Sequence, residues 1–172
     1  MNIDDDDFTL FGLPERFALD SAQLDQRWRE LQTEVHPDRF AAQGAASQRI
    51  AMQWSMRVNQ AYQRLKDPLK RAAYLCERRG APIDAERNTA MPREFLMQQM
   101  AWRETLDEAV DGAAVQALAD QVEQHEHALR GRLQELLDER NDAAAAAAQV
   151  RALMFVARFR QDIDLRLETL EQ

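Results

Sequence analysis

Apolar residues recur along this chain with the period of helices, and the alternation of strands does not stand out anywhere. Phe8, Leu10 and Phe11 follow a run of aspartates and stop at Gly12, before Pro14. This predicts a short helix capped by Asp7. Leu24, Trp28, Leu31 and Val35 then fall at i, i+4, i+7 and i+11, one stripe of a 3.6-residue period. Asp20 stands where an N-cap belongs, with Gln23 three residues on as in a capping box. Pro37 ends this helix and pushes His36 out of the helical region. A loop around Gly44 is expected over 41–47. Ile50, Ala51, Trp54, Val58, Ala61 and Leu65 mark one face of the next helix, with Tyr62 at its edge. Asp67 caps a fourth helix whose first position is Pro68, where a missing N–H costs nothing. That helix carries Leu69, Ala72, Ala73 and Cys76 on one side and stops at Gly80.

Residues 80–91, with Gly80, Pro82 and Asn88, interrupt the helical pattern and mark a boundary. Pro92 opens a helix reaching about Asp111. Gly112 separates it from a second over 113–140, which carries Val115, Leu118, Val122, Leu129, Leu133 and Leu136 in register. Asn141-Asp142 is a turn and cap. The Ala143–Ala148 run is strong helix former rather than linker. It leads into a last helix with Val156, Phe159, Ile163, Leu167 and Leu170 on one face. Three striped helices with short connections make a bundle. The expectation is an all-α chain. Residues 1–79 form a helical hairpin with short flanking helices, 80–91 a linker, and 92–172 a three-helix bundle.

Composition narrows the function. The 172 residues are 45% apolar and 30% charged, enough for a core without staples. One cysteine, Cys76, excludes an internal disulfide and a four-cysteine metal site. No apolar run approaches ~20 residues, so no membrane span is expected. The acidic start is unlike a secretory signal or a mitochondrial transit peptide, so the cytoplasm is the expected compartment. The net charge of −8 argues against nucleic acid, but it is an average. Residues 8–80 hold 12 basic and 8 acidic residues, whereas 81–172 hold 10 and 18. A mildly basic first part and an acidic second part suit two different partners.

The candidate chemistry lies in two places. His36-Pro37-Asp38 sits in the turn between two amphipathic helices, where proline fixes the spacing of two polar side chains that face solvent. His36 and Asp38 could instead merely cap and turn. A base and its orienter is a weaker reading, because Pro37 limits their pairing and no nucleophile lies nearby in sequence. No enzymatic role is expected. In the helix from Pro92, Phe95, Trp102, Leu106 and Ala109 share the bundle-facing stripe. Leu96, Met97 and Met100 fall on the opposite side, with Glu104, Asp107 and Glu108. An apolar patch beside carboxylates suits a partner, and methionines repack easily against one. The alternative is a helix buried on two sides. His125 and His127 point ~200° apart on a helix and cannot share a metal from one face. Cys76 lies on the inward side of its helix, as a buried structural thiol does.

The hairpin, the His-Pro-Asp turn, and Asn59, Ala61, Tyr62 and Leu65 on the outgoing helix resemble a J-domain, the module that activates DnaK-type ATPase chaperones. The resemblance implies that His36, Pro37 and Asp38 contact the chaperone, with Arg27, Arg29 and Arg39 as a basic surface. Asp25, Glu30 and Glu34 interrupt that surface, which suits a dedicated chaperone better than a general one. Asp-Phe-Thr-Leu-Phe-Gly-Leu-Pro at 7–14, Pro68–Leu75, Phe95–Met100 and Arg103–Glu108 resemble the HscB family of iron–sulfur cluster assembly over nearly the whole chain. That resemblance implies HscA as the ATPase partner and the cluster scaffold IscU as the client. IscU would be held by Leu96, Met97, Met100, Glu104 and Phe155. Ala101 stands where the family often has a carboxylate, which makes the contact more apolar. It implies no metal, cluster or other cofactor on this chain. The alternatives are a J-domain protein with another client, or a helical adaptor with no chaperone partner.

Overall fold

The computed structural model describes residues 1–171, and they contain α-helices and no strand. The helices are α1 (Asp7–Phe11), α2 (Ser21–Val35), α3 (Ala45–Lys66), α4 (Pro68–Arg78), α5 (Arg93–Glu108), α6 (Gly112–Gln134) and α7 (Ala143–Glu171). The chain divides into two units, Met1–Tyr74 and Leu75 onward.

In the first unit α2 and α3 form a hairpin with α1 packed on it. Its core is Phe8, Leu10, Phe11, Leu24, Leu31, Val58, Ala61 and Leu65. Asp20 caps α2 as expected, accepting from the N–H groups of Ala22 and Gln23. Asp67 likewise accepts from Leu69 and Lys70. Three expectations fail in this unit. The cap of α1 is Asp6, whose carboxylate accepts from the Thr9 N–H, whereas Asp7 is the first helical residue and wholly buried. Ile50 is 57% exposed rather than on the core face, and Met52 and Met56 are exposed with it. The loop is also shorter than 41–47, because Pro37–Gln43 winds into a 3₁₀ helix and α3 starts at Ala45, straight after Gly44 at φ 100°.

The second unit holds α5, α6 and α7 around Phe95, Trp102, Leu106, Val115, Leu118, Val122, Leu133, Val150, Val156, Phe159 and Ile163, all buried. Asp111 and Asp142 cap α6 and α7 by accepting from Ala114 and Ala145. At its end α6 widens into a π-turn over Glu135–Glu139, which buries both Leu136 and Leu137. Arg132 and Arg140 both pair with Glu135 there, and the Arg132 hydrogen bond leads in holding its carboxyl below the usual carboxylate range. The segment 79–92 is irregular, and it is anchored. Arg151, buried on α7, donates to the carbonyl oxygens of Ile83 at 2.9 Å, Ala90 at 3.1 Å and Pro82 at 3.3 Å. Arg79 adds a 2.6 Å bond to the Leu137 carbonyl.

Candidate functional site

The His36-Pro37-Asp38 turn is built by the end of one helix and the start of the next. Pro37 forbids His36 the helical conformation, and His36 sits at φ −60°, ψ 130° as the last cap of α2. Its Nδ1 accepts the Asp38 N–H at 3.2 Å, so in the neutral ring the proton is on Nε2. The same Nδ1 is 3.6 Å from an Asp38 carboxylate oxygen. At that distance, with the Nδ1 lone pair already turned to the Asp38 N–H, the two side chains are near each other without a hydrogen bond between them. The 3₁₀ turn that starts at Pro37 folds Asp38 back toward His36. Both side chains remain open to solvent, 54% for His36 and 93% for Asp38. Nothing in the core requires either of them.

The arginines around the turn differ in what they do. Arg39 donates to the Thr33 carbonyl at 3.0 Å, which satisfies the open C-terminal end of α2. Arg27 pairs along the helix with Glu30 at 3.2 Å, and Arg29 is exposed. The hairpin carrying them is pinned by polar bonds between α2 and α3. Asn59 accepts from both the Trp28 indole at 3.0 Å and Gln32 at 2.7 Å, while Trp28 stacks on Tyr62 at 4.9 Å. Tyr62 donates to Asp25 at 2.6 Å, and that bond, assisted by Lys66, lowers the Asp25 carboxyl below its ordinary value.

In the second unit α5 has two unlike faces. Phe95, Trp102 and Leu106 are buried, while Leu96, Met97 and Met100 are 38%, 68% and 71% exposed. The helix is thus not buried on two sides. Beneath the patch lies an aromatic floor. Phe155 of α7 meets Phe95 edge-on at 5.8 Å and Phe159 face-on at 6.1 Å. His125 of α6 lies against Phe95 and Trp102, and burial pushes its pKa down. Phe155 is half-buried, in keeping with its place beside the Val156–Phe159 stripe.

An open groove of about 540 Å³ runs beside the patch. Gln99, Met100, Arg103, Glu104, Asp107, Glu108 and Phe155 line it. The expected residues Met100, Glu104 and Phe155 thus meet in one surface feature, with Leu96 and Met97 earlier on the same helix. Asp107 and Glu108, expected on this face beside the patch, line it too, whereas Gln99 and Arg103 were not anticipated. Arg103 does not neutralise this rim, since it is drawn to Asp162 at 2.8 Å and over the Phe159 ring. Glu104, Asp107 and Glu108 leave the groove net acidic beside an apolar patch.

The remaining candidates lie apart from these features. His127 is exposed while His125 is packed among aromatic rings, and no group of three metal-ligating side chains occurs among the described residues. Cys76 is buried, and desolvation raises its thiol to about 11, which makes it a poor nucleophile at neutral pH. No helix of the described residues is long and apolar enough to cross a membrane.

An all-helical chain whose first unit is a hairpin around an exposed His-Pro-Asp turn has the form of a J-type co-chaperone. Residues 91–164 match the family model described as the HscB C-terminal oligomerisation domain. The co-chaperone protein HscB homolog of Bordetella pertussis is 52% identical over 160 residues, 92% of this chain and 94% of that one. The homolog of Burkholderia multivorans is 50% identical across 99% of both chains. The solved structure of chaperone HscB from Vibrio cholerae superposes with a TM-score of 0.87 at 37% identity, covering 96% of this chain and 99% of that one. The chain belongs to the HscB family of co-chaperones.

Proposed function

We propose that this co-chaperone binds the iron–sulfur scaffold protein IscU, delivers it to the DnaK-type chaperone HscA, and stimulates HscA to hydrolyse ATP. Residues 1–79 act as the J-domain, joined through 80–91 to the scaffold-binding bundle of 92–172. His36, Pro37 and Asp38 make the contact that triggers hydrolysis, and Arg27, Arg29 and Arg39 supply the surrounding positive surface. Leu96, Met97, Met100, Glu104 and Phe155 hold IscU. The chain works in the cytoplasm and carries no cofactor of its own; the chemistry of ATP hydrolysis belongs to HscA.

The observation that carries this reading is the exposed Leu96–Met97–Met100 patch on a helix whose opposite face is fully buried. Three large apolar side chains held open to water beside carboxylates serve no fold. Covering them would contribute about 25 cal/mol per Å² of apolar surface removed from water. Carrying this patch and the His-Pro-Asp turn on one chain raises the local concentration of the scaffold at the ATPase without any further contact.

The test is a calorimetric titration of IscU into the full chain. Combining Leu96→Ala, Met97→Ala and Phe155→Ala should weaken binding about 100-fold, about 2.7 kcal/mol. Stimulation of HscA in the absence of IscU should be unchanged. Unchanged IscU affinity in a folded triple variant would refute the assignment of the patch.

A further inference from the structure

A stable protein–protein interface takes about 800 Å² from each partner, supplied by about 20–30 residues a side. Leu96, Met97, Met100 and the half-buried Phe155 are too few to provide that alone, so a bound scaffold must cover neighbouring surface as well. The exposed apolar side chains show in which direction. Among the described residues of the second unit, the large apolar side chains open to water outside the patch are Val110, 83% exposed, and Leu165, 61% exposed. A lone exposed apolar side chain is ordinary, but these two share a place. Arg166 donates to the Ala109 carbonyl at 3.0 Å, which sets the connection after α5, with Val110 in it, against the stretch of α7 that carries Leu165. A second open groove of about 360 Å³ lies there, with Leu106, Leu165 and Thr169 in its walls. It shares Arg103 and Asp107 with the groove beside the patch, so the two meet along one surface. Leu96, Met100, Arg103 and Asp107 follow one another at i, i+4, i+7 and i+11, a single line along α5. Arg103, between the grooves, is laid on the Phe159 ring and held to Asp162 at 2.8 Å, so its charge is met before a partner arrives.

We infer that the scaffold-binding surface continues past Arg103 into this second groove, where Val110 and Leu165 take an apolar segment of IscU. This rests on the assignment of the Leu96–Met97–Met100 patch to IscU. The bound partner then lies along α5 for about 18 Å from Leu96 to Glu108, by the rise of an α-helix. Apolar side chains at both ends, with charged ones between them, give the contact two anchors. Two anchors fix the direction in which a segment crosses the helix, where one leaves it free to pivot. Covering Val110 and Leu165 adds about 25 cal/mol for each Å² of apolar surface removed from water. Neither side chain belongs to the core, so replacing them tests affinity without touching the bundle.

The experiment is titration of IscU into the full chain and its variants. Val110→Ser combined with Leu165→Ser should raise Kd about tenfold with the melting temperature unchanged. A parent-like Kd for this pair, when Leu96→Ala with Met97→Ala does weaken binding, overturns the extension and spares the patch. No effect of either pair overturns both. Sedimentation of the free chain tests the rival occupant. A parent dimer that Val110→Ser with Leu165→Ser breaks into monomers, without loss of IscU affinity, assigns the groove to a second copy and overturns the proposal. A further readout needs no variant. In the parent labelled with carbon-13 at its Val and Leu methyl groups, a soluble paramagnetic chelate should relax the Val110 and Leu165 signals strongly in the free protein and weakly in the IscU complex. Equal relaxation in the saturated complex shows that IscU leaves them open and refutes the contact.

Discussion

Asp7 is the residue on which the first unit turns. It is the last of four consecutive aspartates and the only one of them that is fully buried. Arg57 donates to it at 2.8 Å and Arg64 at 2.6 Å and 3.2 Å, both from α3. The Asp7 N–H donates in turn to the Tyr74 hydroxyl, and Arg57 also bonds the carbonyls of Ile3 and Asp5. A run of like residues offers several equivalent caps, and local sequence cannot say which aspartate turns inward. Arginines 50 and 57 residues away decide it. Removing one partner of a buried ion pair leaves the other charges uncompensated. Asp7→Asn, which preserves shape, should therefore lower unfolding stability by about 3 kcal/mol in urea melts followed by circular dichroism. A midpoint equal to that of the parent would mean that the arginines are satisfied elsewhere.

At the scale of elements, periodicity is informative about faces and silent about what covers them. The stripe Phe95, Trp102 and Leu106 is buried as its spacing implies, and so is the α6 series from Val115 to Leu136. Ile50 fails because its helical phase is compatible with the core edge, yet α3 leaves it, like Met52 and Met56, open to water. The π-turn at Glu135–Glu139 leaves no trace in a 3.6-residue pattern, although the burial of both Leu136 and Leu137 depends on it. The candidate site was half legible. Exposed Leu96, Met97 and Met100 could be separated from the core by angle alone, whereas the groove shows only once Phe155 of α7 lines it with Met100 and Glu104. Residues 80–91 read from sequence as an interruption of the helical pattern, and periodicity does not say whether such a segment is held; a single buried arginine gathers three of its carbonyls. Arg151→Met would leave those carbonyls to seek water and loosen the segment locally. Trypsin should then nick the chain after exposed Arg87 about tenfold faster, with helical content preserved. Equal cleavage rates would show that the segment is held by other contacts.

For the whole molecule, the overall charge of −8 hides a contrast between its parts. The basic surplus of residues 8–80 lies in the part of the sequence that carries the His-Pro-Asp turn, and the acidic surplus of 81–172 includes the rim of the α5 groove. Each part carries its exposed feature, the turn or the α5 patch, on helices that are held by contacts elsewhere. The hairpin is fastened by Trp28, Gln32 and Asn59, and the bundle by its aromatic core. The account stands or falls on whether the turn acts on an ATPase. His36 is exposed, makes only local bonds through Nδ1, and contributes nothing to the core. The direct measurement is single-turnover ATP hydrolysis by HscA with the full-length chain, comparing the parent with His36→Gln at matched melting temperature. The account predicts strong stimulation by the parent and none by the variant, with IscU affinity unchanged. Equal stimulation by the two proteins would contradict it.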